Sequence, residues 1–403
     1  MPLAAPPSPP RPQTGEGQAT GSRQRFAAVF ASNLSAFLAI GAVLPVLPRY
    51  TSGPLGGGPV AVGVVIGAFA FSAVVSRPLA GRLADGRGRR TIVIWGTLLM
   101  AAAGALYFIP AGVGGLVVAR LVLGVGEGFA FTAGATWAVD LAPLERRGQA
   151  IGVYGLSIWG GLALGPPIGE ALFALGSYEL VWAFAILGPL AGAALAARVP
   201  DLHRPAVASG PRPLLPAVAV RPGIALALAN VGYAALAGFI ILHLENEGSG
   251  SGAAVFAAFA AAVVTTRLLG SSLPDRIGAR GCAMAAGGAE AAGLALIALA
   301  TDWPVAVAGA LVMGGGFSLL FPALALMVVN EADEDQRGAA LGTFTAFFDV
   351  GVGLGAPLVG AAAALGGYPA GYWLAAACAA ATAAIAYSLR VAPPAAARAA
   401  RAI

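Results

Sequence analysis

The feature that most constrains this chain is a series of long apolar segments that recur along almost its whole length. Each has about 18 residues or more, enough for a helix to cross a hydrocarbon core about 30 Å thick. The apolar residues run continuously instead of alternating, which favours transmembrane helices over barrel strands. Only 10% of the residues are charged, against about 25% in soluble domains, and the mean hydropathy is +0.83. The sequence predicts an all-α integral membrane protein.

Twelve spans are predicted, with bounds at 26–48, 58–80, 91–110, 113–138, 148–171, 179–198, 223–243, 252–271, 281–300, 303–329, 338–362 and 367–390. All 23 basic residues are arginines, and nearly all of those outside the spans lie in the loops of one side and in the two tails. The loops of the other side hold Arg49 alone. Because excess arginine marks the cytoplasmic side, both termini are expected in the cytoplasm and the chain in the cell's inner (plasma) membrane.

Three segments lack an apolar run. Residues 1–22 are rich in proline, glycine and polar residues, which predicts a disordered cytoplasmic tail, and 391–403 form a second tail. Residues 199–222 contain six prolines, which disfavour a helix, so this segment is predicted to be a cytoplasmic linker. The linker separates an N-terminal six-helix bundle, 23–198, from a C-terminal six-helix bundle, 223–390.

The two halves repeat at an offset of 190 residues. This offset aligns Arg77 with Arg267, Asp85 with Asp275, Gly124 with Gly314, Gly161 with Gly351, Gly165 with Gly355 and Pro167 with Pro357. Two parallel six-helix halves imply a pseudo-twofold axis along the membrane normal, with a cavity between the halves.

The loop after the second span reads Gly81-Arg82-Leu83-Ala84-Asp85-Gly86-Arg87-Gly88-Arg89-Arg90. It resembles the loop signature of the major facilitator superfamily, Gly-x-Leu-Ala-Asp-Arg-x-Gly-Arg-Arg, with Gly86 at the usual arginine position. The fourth span resembles the family's arginine motif at Arg120. The fifth span, from Gly161 to Gly169, resembles the Gly-x-x-x-Gly-Pro motif of proton-exchanging exporters, with Glu170 in place of the final glycine. PVLPRY and Arg77-Pro78 look most like bacterial twelve-span drug and metabolite efflux permeases.

The loop motif is interpreted as a conformational lock. An aspartate at a cytoplasmic helix end can pair with arginines across the two halves in one conformation and lose the pair in the other. The residues assigned to this lock are Gly81, Asp85, Arg87, Gly88, Arg89, Arg90 and Asp275. The alternative is that these charges only fix the membrane topology.

Ionisable residues inside spans are costly and usually functional. Asp349 lies about 16 Å into span 11, near the midplane, and its repeat equivalent is Trp159. A carboxylate there can bind and release protons, or can be paired permanently with an arginine as structure. Glu290 is interpreted as a helix-contact residue.

Arg120 and Glu127 share a face of span 4, about 10 Å apart along its axis, and are predicted to bracket a cavity. The family motif implies that Arg120 holds a carboxylate or a water chain for proton movement. Glu127 is the second candidate proton carrier. Alternatively, the two side chains satisfy each other through water.

The glycines and prolines of spans 5 and 11 allow close helix packing and favour a bend, so they are predicted to form a helix hinge. The hinge residues are Gly161, Gly165, Pro166, Gly169, Gly355 and Pro357. Polar and aromatic residues in the spans are candidates for lining the substrate cavity: Asn33, Trp137, Tyr154, Trp159, Asn230, Tyr233 and Phe347.

The predicted function is secondary transport by alternating access, as proton-coupled export of a small amphipathic drug or metabolite. The partners are then a small-molecule substrate, protons and the lipid bilayer, with no nucleic acid, and the protein is expected to be a monomer. The sequence has no nucleotide-binding Gly-x-x-x-x-Gly-Lys loop, so the energy for transport is expected to come from an ion gradient. No catalysed reaction, cofactor or metal is predicted. The alternatives are proton-coupled uptake of a sugar or organic anion, and a non-transporting membrane sensor or channel.

Overall fold

The computed structural model describes residues 15–143, 146–200, 216–270, 272–332 and 337–389. These residues form thirteen α-helices and no strand. The helices are α1 Gly15–Val43, α2 Val46–Ser52, α3 Pro59–Arg87, α4 Arg89–Leu106, α5 Gly112–Asp140, α6 Arg147–Ala174, α7 Tyr178–Ala197, α8 Ala217–Asn246, α9 Gly252–Gly270, α10 Leu273–Ile277, α11 Ala279–Ala298, α12 Trp303–Glu331 and α13 Arg337–Ser388.

Eleven of these helical segments are long and apolar enough to cross a membrane, and the last covers Ala340–Ser388. Helix α13 changes direction at Gly366 and at Gly367, whose φ of 77° is accessible to glycine at little cost. This kink divides α13 into two arms, 337–365 and 368–388, each long enough to span. Counted in this way, the described residues supply the twelve spans predicted from the sequence, and the all-α class is confirmed.

Three helices extend well beyond the predicted spans. Helix α3 continues to Arg87, so most of the predicted loop motif is helical. Helix α1 begins at Gly15, so the helix includes 15–22 of the predicted tail. Helix α8 begins at Ala217, directly after its N-cap Pro216, and contains Pro222 in its second turn, so 217–222 of the predicted linker is helical. Residues 1–14, 201–215 and 390–403, which hold most of the predicted tails and linker, lie outside the described residues.

The 190-residue repeat recurs in the packing. A Cβ placed on Gly124 of α5 would lie 1.8 Å from the Phe69 carbonyl oxygen, and one on Gly314 of α12 would lie 2.6 Å from that of Phe259. Phe69 and Phe259 are themselves repeat equivalents. Two aromatic pairs repeat in the same way, Phe131 with Tyr154 and Phe321 with Phe344. The two halves therefore use the same close helix contacts, while the division into two domains stays a prediction.

The halves meet chiefly along two helix pairs, α3 against the first arm of α13 and α6 against α9. Near Arg49, α3 and α13 almost touch: a Cβ on Gly63 would lie 2.3 Å from the Ala356 carbonyl oxygen. Near Arg89, a Cβ on Gly81, Gly152 or Gly342 would meet nothing within 4 Å. We call these two ends of the molecule the Arg49 end and the Arg89 end. The halves are in close contact at the Arg49 end, whereas these three glycines at the Arg89 end face open space.

Candidate transport site

Three charged side chains meet between the halves. Arg77 of α3 donates from Nε to Asp349 Oδ2 of α13 at 2.7 Å, and from Nη2 to Oδ1 at 3.1 Å. The same Nη2 reaches both carboxylate oxygens of Glu127 on α5, at 3.1 and 3.3 Å. Glu127 and Asp349 are 4% and 2% exposed. We call Arg77, Glu127 and Asp349 the central triad.

The central triad joins α3 and α5 of the first half to α13 of the second through one guanidinium. With both carboxyl groups ionised, it carries two negative charges and one positive charge. Removing one partner of such a buried pair costs about 3–5 kcal/mol, because it leaves an uncompensated charge. A proton on either carboxyl group removes the excess charge without that cost, so the arrangement can couple protonation to separation of the halves.

Arg77 lies close to the end of the second predicted span, where an arginine side chain can reach water. The structure instead places it over the Phe131 ring at 5.2 Å and between the two acids. The pairing of Asp349 with an arginine, one of the two readings of that residue, is therefore present. Its role in proton transfer, like that of Glu127, stays a prediction.

Arg120 is fully buried and does not pair with Glu127. Its Nε and Nη2 donate to the carbonyl oxygens of Val65 and Ile66, at 3.2 and 3.4 Å. Its guanidinium lies 4.7 Å from the centre of the Phe69 ring. The expected partner carboxylate is absent among the described residues, since α3 offers backbone carbonyls to this side chain instead.

An aromatic cluster fills the other interface between the halves. Trp159 of α6 meets Phe259 of α9 at 6.2 Å, Tyr233 of α8 at 6.1 Å and Phe317 of α12 at 5.5 Å between ring centres. Phe348, next to Asp349 in the chain, packs on Tyr233 at 6.4 Å. The cluster of Trp159, Tyr233, Phe259 and Phe317 therefore brings together two of the seven residues predicted to line the cavity.

The other five cavity candidates pack mainly within one half. Asn33 donates to the Ser157 hydroxyl at 2.7 Å, and Asn230 donates to the Leu226 carbonyl of its own helix. Tyr154 stacks on Phe131 and Trp137 is buried in the same cluster of the first half. Phe347 is directed at Gly223 of α8. Their polar or aromatic character within a span could not distinguish these five residues from Trp159 and Tyr233, which do lie at the interface.

The loop motif makes its contacts inside the first half. Gly88, at φ 90°, separates α3 from α4. Arg89 lies 2.7 Å from Asp140 and 3.9 Å from Asp85, and Arg90 donates to the Ala197 carbonyl. Among the described residues, Asp85 has no partner in the other half in this conformation, and the predicted lock, which would form in only one of two conformations, stays a prediction. Arg87 is exposed, and the side chain of Asp275 lies outside the described residues.

Sequence reasoning missed a second ion cluster, at the Arg49 end. Arg49 of α2 donates to Glu170 of α6 and to Glu245 of α8, both at 2.5 Å. Glu170 belongs to the first half and Glu245 to the second, so Arg49 fastens the halves together. We call these three residues the Arg49 clamp. Its signal in the sequence was a single arginine among the poorly charged loops of one side, with acids at two nearby span ends.

The predicted hinge residues of α6 pack against α1. A Cβ on Gly161, Gly165 or Gly169 would come within 2.0–2.6 Å of the α1 backbone or of Phe37. Gly355 similarly approaches Val231 of α8. Pro166 and Pro357 lie inside continuous helices. The close packing is present, and the hinge function stays a prediction.

Two repeated helical halves, joined by ion pairs at the centre and at one end, define a membrane transporter of the secondary type. The family profile described as Major Facilitator Superfamily matches residues 29–288 and 223–402. The chain belongs to the Major Facilitator Superfamily, whose members are transporters of small molecules and not enzymes. It is a multi-pass membrane protein.

Its relatives include the MFS-type transporter YhhS of Escherichia coli, 33% identical over 384 residues, which cover 92% of this chain and 93% of the relative. An MFS-type transporter of Salmonella typhimurium is 32% identical over 371 residues, or 88% and 93% of the two chains. The fold is similar to that of the nucleoside transporter NupG, with TM-score 0.76, 14% identity and coverage of 90% and 99%. It is also similar to the human organic anion transporter MFSD10, with TM-score 0.68, 17% identity and coverage of 91% and 99%.

Proposed function

We propose that this protein is a monomeric, proton-coupled exporter of a small amphipathic drug or metabolite. It works by alternating access in the inner membrane of a bacterial cell, with both termini in the cytoplasm. The Arg49 end then faces the outside and the Arg89 end faces the cytoplasm. The family supports transport, and the bacterial relatives support the inner membrane. The central triad is the observation that carries the proton coupling.

The proposed coupling step takes place at Asp349. While ionised, Asp349 holds α13 to α3 through Arg77. A proton on its carboxyl group leaves Arg77 paired with Glu127 inside the first half, so α13 is released without a buried unpaired charge. Loss of the proton restores the pair across the halves. Protonation and conformation are thereby linked by a difference in interaction energy between two states, as alternating access requires.

The two ends of the molecule support the alternating part of the proposal. In the conformation described, the Arg49 clamp and the contact of Gly63 with Ala356 close the outer end. Gly81, Gly152 and Gly342 at the Arg89 end face open space, which supports entry of the substrate from the cytoplasm. Closing that end would bring the start of α13 towards Asp85, where the family resemblance expects the lock. Exchange of one bound substrate for a proton from outside completes the export cycle.

The test uses full-length protein in liposomes that contain a pH-sensitive dye. A panel of drugs, nucleosides and aromatic acids is added under an imposed pH gradient, and proton movement is compared among wild type, Asp349→Asn and Glu127→Gln. Asp302→Asn, an exposed aspartate that caps α12, is the matched control. We expect substrate-dependent proton flux in wild type and in the control, and at least about a tenfold loss in Asp349→Asn.

Direction is tested with the same compounds in inverted and right-side-out vesicles. Export predicts proton-driven accumulation in inverted vesicles, where the cytoplasmic face points outward. Substrate movement without proton flux in wild type would reject coupling to protons. Accumulation only in right-side-out vesicles would identify uptake, and non-saturable conduction without counterflow would identify a channel.

A further inference from the structure

The repeat places an arginine, Arg267, at the position equivalent to Arg77, but without the acids of the central triad. The 190-residue offset puts Phe317 where Glu127 stands and Trp159 where Asp349 stands. Arg77 makes four contacts of 2.7–3.3 Å with its two carboxylates. Within the described ranges, no carboxylate lies within ion-pair distance of Arg267.

The guanidinium of Arg267 is poorly satisfied by the protein. It donates from Nη2 to the Ser318 carbonyl oxygen at 3.4 Å, which is its one hydrogen bond among the described residues. A guanidinium offers five N–H donors and stays charged at any physiological pH. Arg267 is only partly exposed, on a helix that spans the membrane. A charge held in such a position without a protein partner is costly unless a ligand or cavity water compensates it.

The surroundings of Arg267 are accessible and aromatic. Arg267 lies two turns from Phe259 along α9, towards the Arg89 end. Phe259 packs on Trp159 of the facing helix α6. Further along α6 towards the same end, a Cβ on Gly152 or Gly155 would meet nothing within 4 Å. The interface that carries Arg267 therefore has open space at these two glycines and is filled by buried aromatic rings further along.

We infer that Arg267 binds the anionic group of the transported substrate, and that the aromatic cluster of Trp159, Tyr233, Phe259 and Phe317 holds its apolar body. The substrate class is then an amphipathic organic anion, such as an aromatic carboxylate or sulfonate. The ligand's anion takes the place that protein acids occupy at Arg77. Protons then bind at the central triad, in the interface of α3 with α13. The substrate binds in the equivalent interface of α6 with α9. This assignment rests on the proposed transport function.

The assignment is tested by binding, without any requirement for proton flux. Full-length protein in phosphatidylcholine nanodiscs is titrated with 2-naphthoate, with the neutral 2-naphthamide and with the cationic 2-naphthylmethylammonium. Binding is followed by calorimetry in wild type, Arg267→Gln and Arg267→Lys. Arg276→Gln, at an exposed arginine on the adjoining α10, is the matched control.

In wild type we expect naphthoate to bind at least about tenfold more tightly than naphthamide, and the cation to bind more weakly than either. Arg267→Gln should lower the affinity for naphthoate to that for naphthamide. Arg267→Lys should keep part of the preference for naphthoate over naphthamide. Arg276→Gln should leave all three affinities unchanged. Trp159→Ala should weaken naphthoate and naphthamide alike, because it removes ring contact and not charge.

Equal affinities for naphthoate and naphthamide in wild type, or an unchanged preference in Arg267→Gln, would overturn the assignment, as would no binding of naphthoate at millimolar concentration. Displacement of naphthoate by phosphatidylglycerol added to the bilayer would assign the anion site to a lipid headgroup and reject the substrate. Charge-selective binding at Arg267 without proton flux in liposomes would keep the anion site and reject the proton coupling.

Discussion

Replacing Glu245 by glutamine should open the Arg49 end, whereas replacing Glu170 should not. Both acids accept a 2.5 Å hydrogen bond from Arg49, but only Glu245 belongs to the other half of the molecule. Glu245→Gln removes an attraction that exists only when the halves are closed at this end. Glu170→Gln removes an attraction within the first half, which is present whether the Arg49 end is open or closed. The two variants make the same chemical change at the same arginine.

The size of the change in the opening equilibrium depends on how exposed the Arg49–Glu245 ion pair is. The side chains of Arg49 and Glu245 are 19% and 43% exposed, and ion pairs in such settings contribute about 0.2–1 kcal/mol. Their loss should therefore raise the ratio of molecules open at this end to molecules closed by about 1.4- to 5-fold. High salt should reduce the difference between the variant and its parent, because it screens the pair in the parent.

The assay reports opening through a buried thiol. Ile66→Cys is introduced into a chain in which Cys282 and Cys378 are alanine. Ile66 is 1% exposed and faces Gly238 of the opposite half. Cysteine is smaller than isoleucine, so the closed state should tolerate it. Where opening and closing are fast relative to labelling, the rate of reaction with a charged maleimide follows the open population.

We expect faster labelling with Glu245→Gln and a rate close to that of the parent with Glu170→Gln. Equal rates in all three proteins would refute the reasoning that the Arg49 clamp holds the halves together. Faster labelling with Glu170→Gln than with Glu245→Gln would refute the assignment of the two acids to different halves.

Two further changes test the packing of the halves. Glu290 is fully buried, its carboxylate oxygens have no hydrogen-bond partner among the described residues, and its repeat equivalent is Met100. Glu290→Met should therefore stabilise the protein by about 1–3 kcal/mol and leave transport unchanged. A lower melting temperature of the variant in detergent would contradict the expected stabilisation. Gly67→Ala should lower the melting temperature, because its Cβ would lie 2.5 Å from the Gly353 carbonyl oxygen. Gly81→Ala, which meets nothing within 4 Å, should not lower it, and equal losses would show that close approach is not the cause.

Much of the fold could be predicted because its signals are local. Hydropathy over about 18 residues identifies a span whatever lies beside it, and the spans agree with the helices except where α1 and α8 begin earlier and α3 ends later. The repeat offset was equally visible, since close helix contacts demand glycine at the same places in both halves, as at Gly124 and Gly314. Asp349 was identified as a candidate because a carboxyl group in a span is costly.

The pairings of the charged residues could not be predicted in the same way. Arg77 lies close to the end of the second predicted span, which suggests access to water, but its partner Asp349 lies 272 residues further along the chain. Glu245 lies at the end of the seventh span, where a charged residue is ordinary, and it pairs with Arg49, 196 residues away. Asp85 was expected to pair across the halves in one conformation, and here it lies 3.9 Å from Arg89. Each outcome depends on which helices are adjacent and on which end is open.

The sequence by itself determined that this chain is a twelve-span membrane protein with two repeated halves, and its motifs identified the superfamily. Apolar length, arginine placement and glycine spacing are properties of short segments, so they act before any long-range contact forms. Only the tertiary structure decided that α3 meets α13 while α6 meets α9. Hence Arg77 has two acids beside it, and Arg267 has none among the described residues. Those neighbours are set by the packing of whole helices, which brings together residues far apart in the chain.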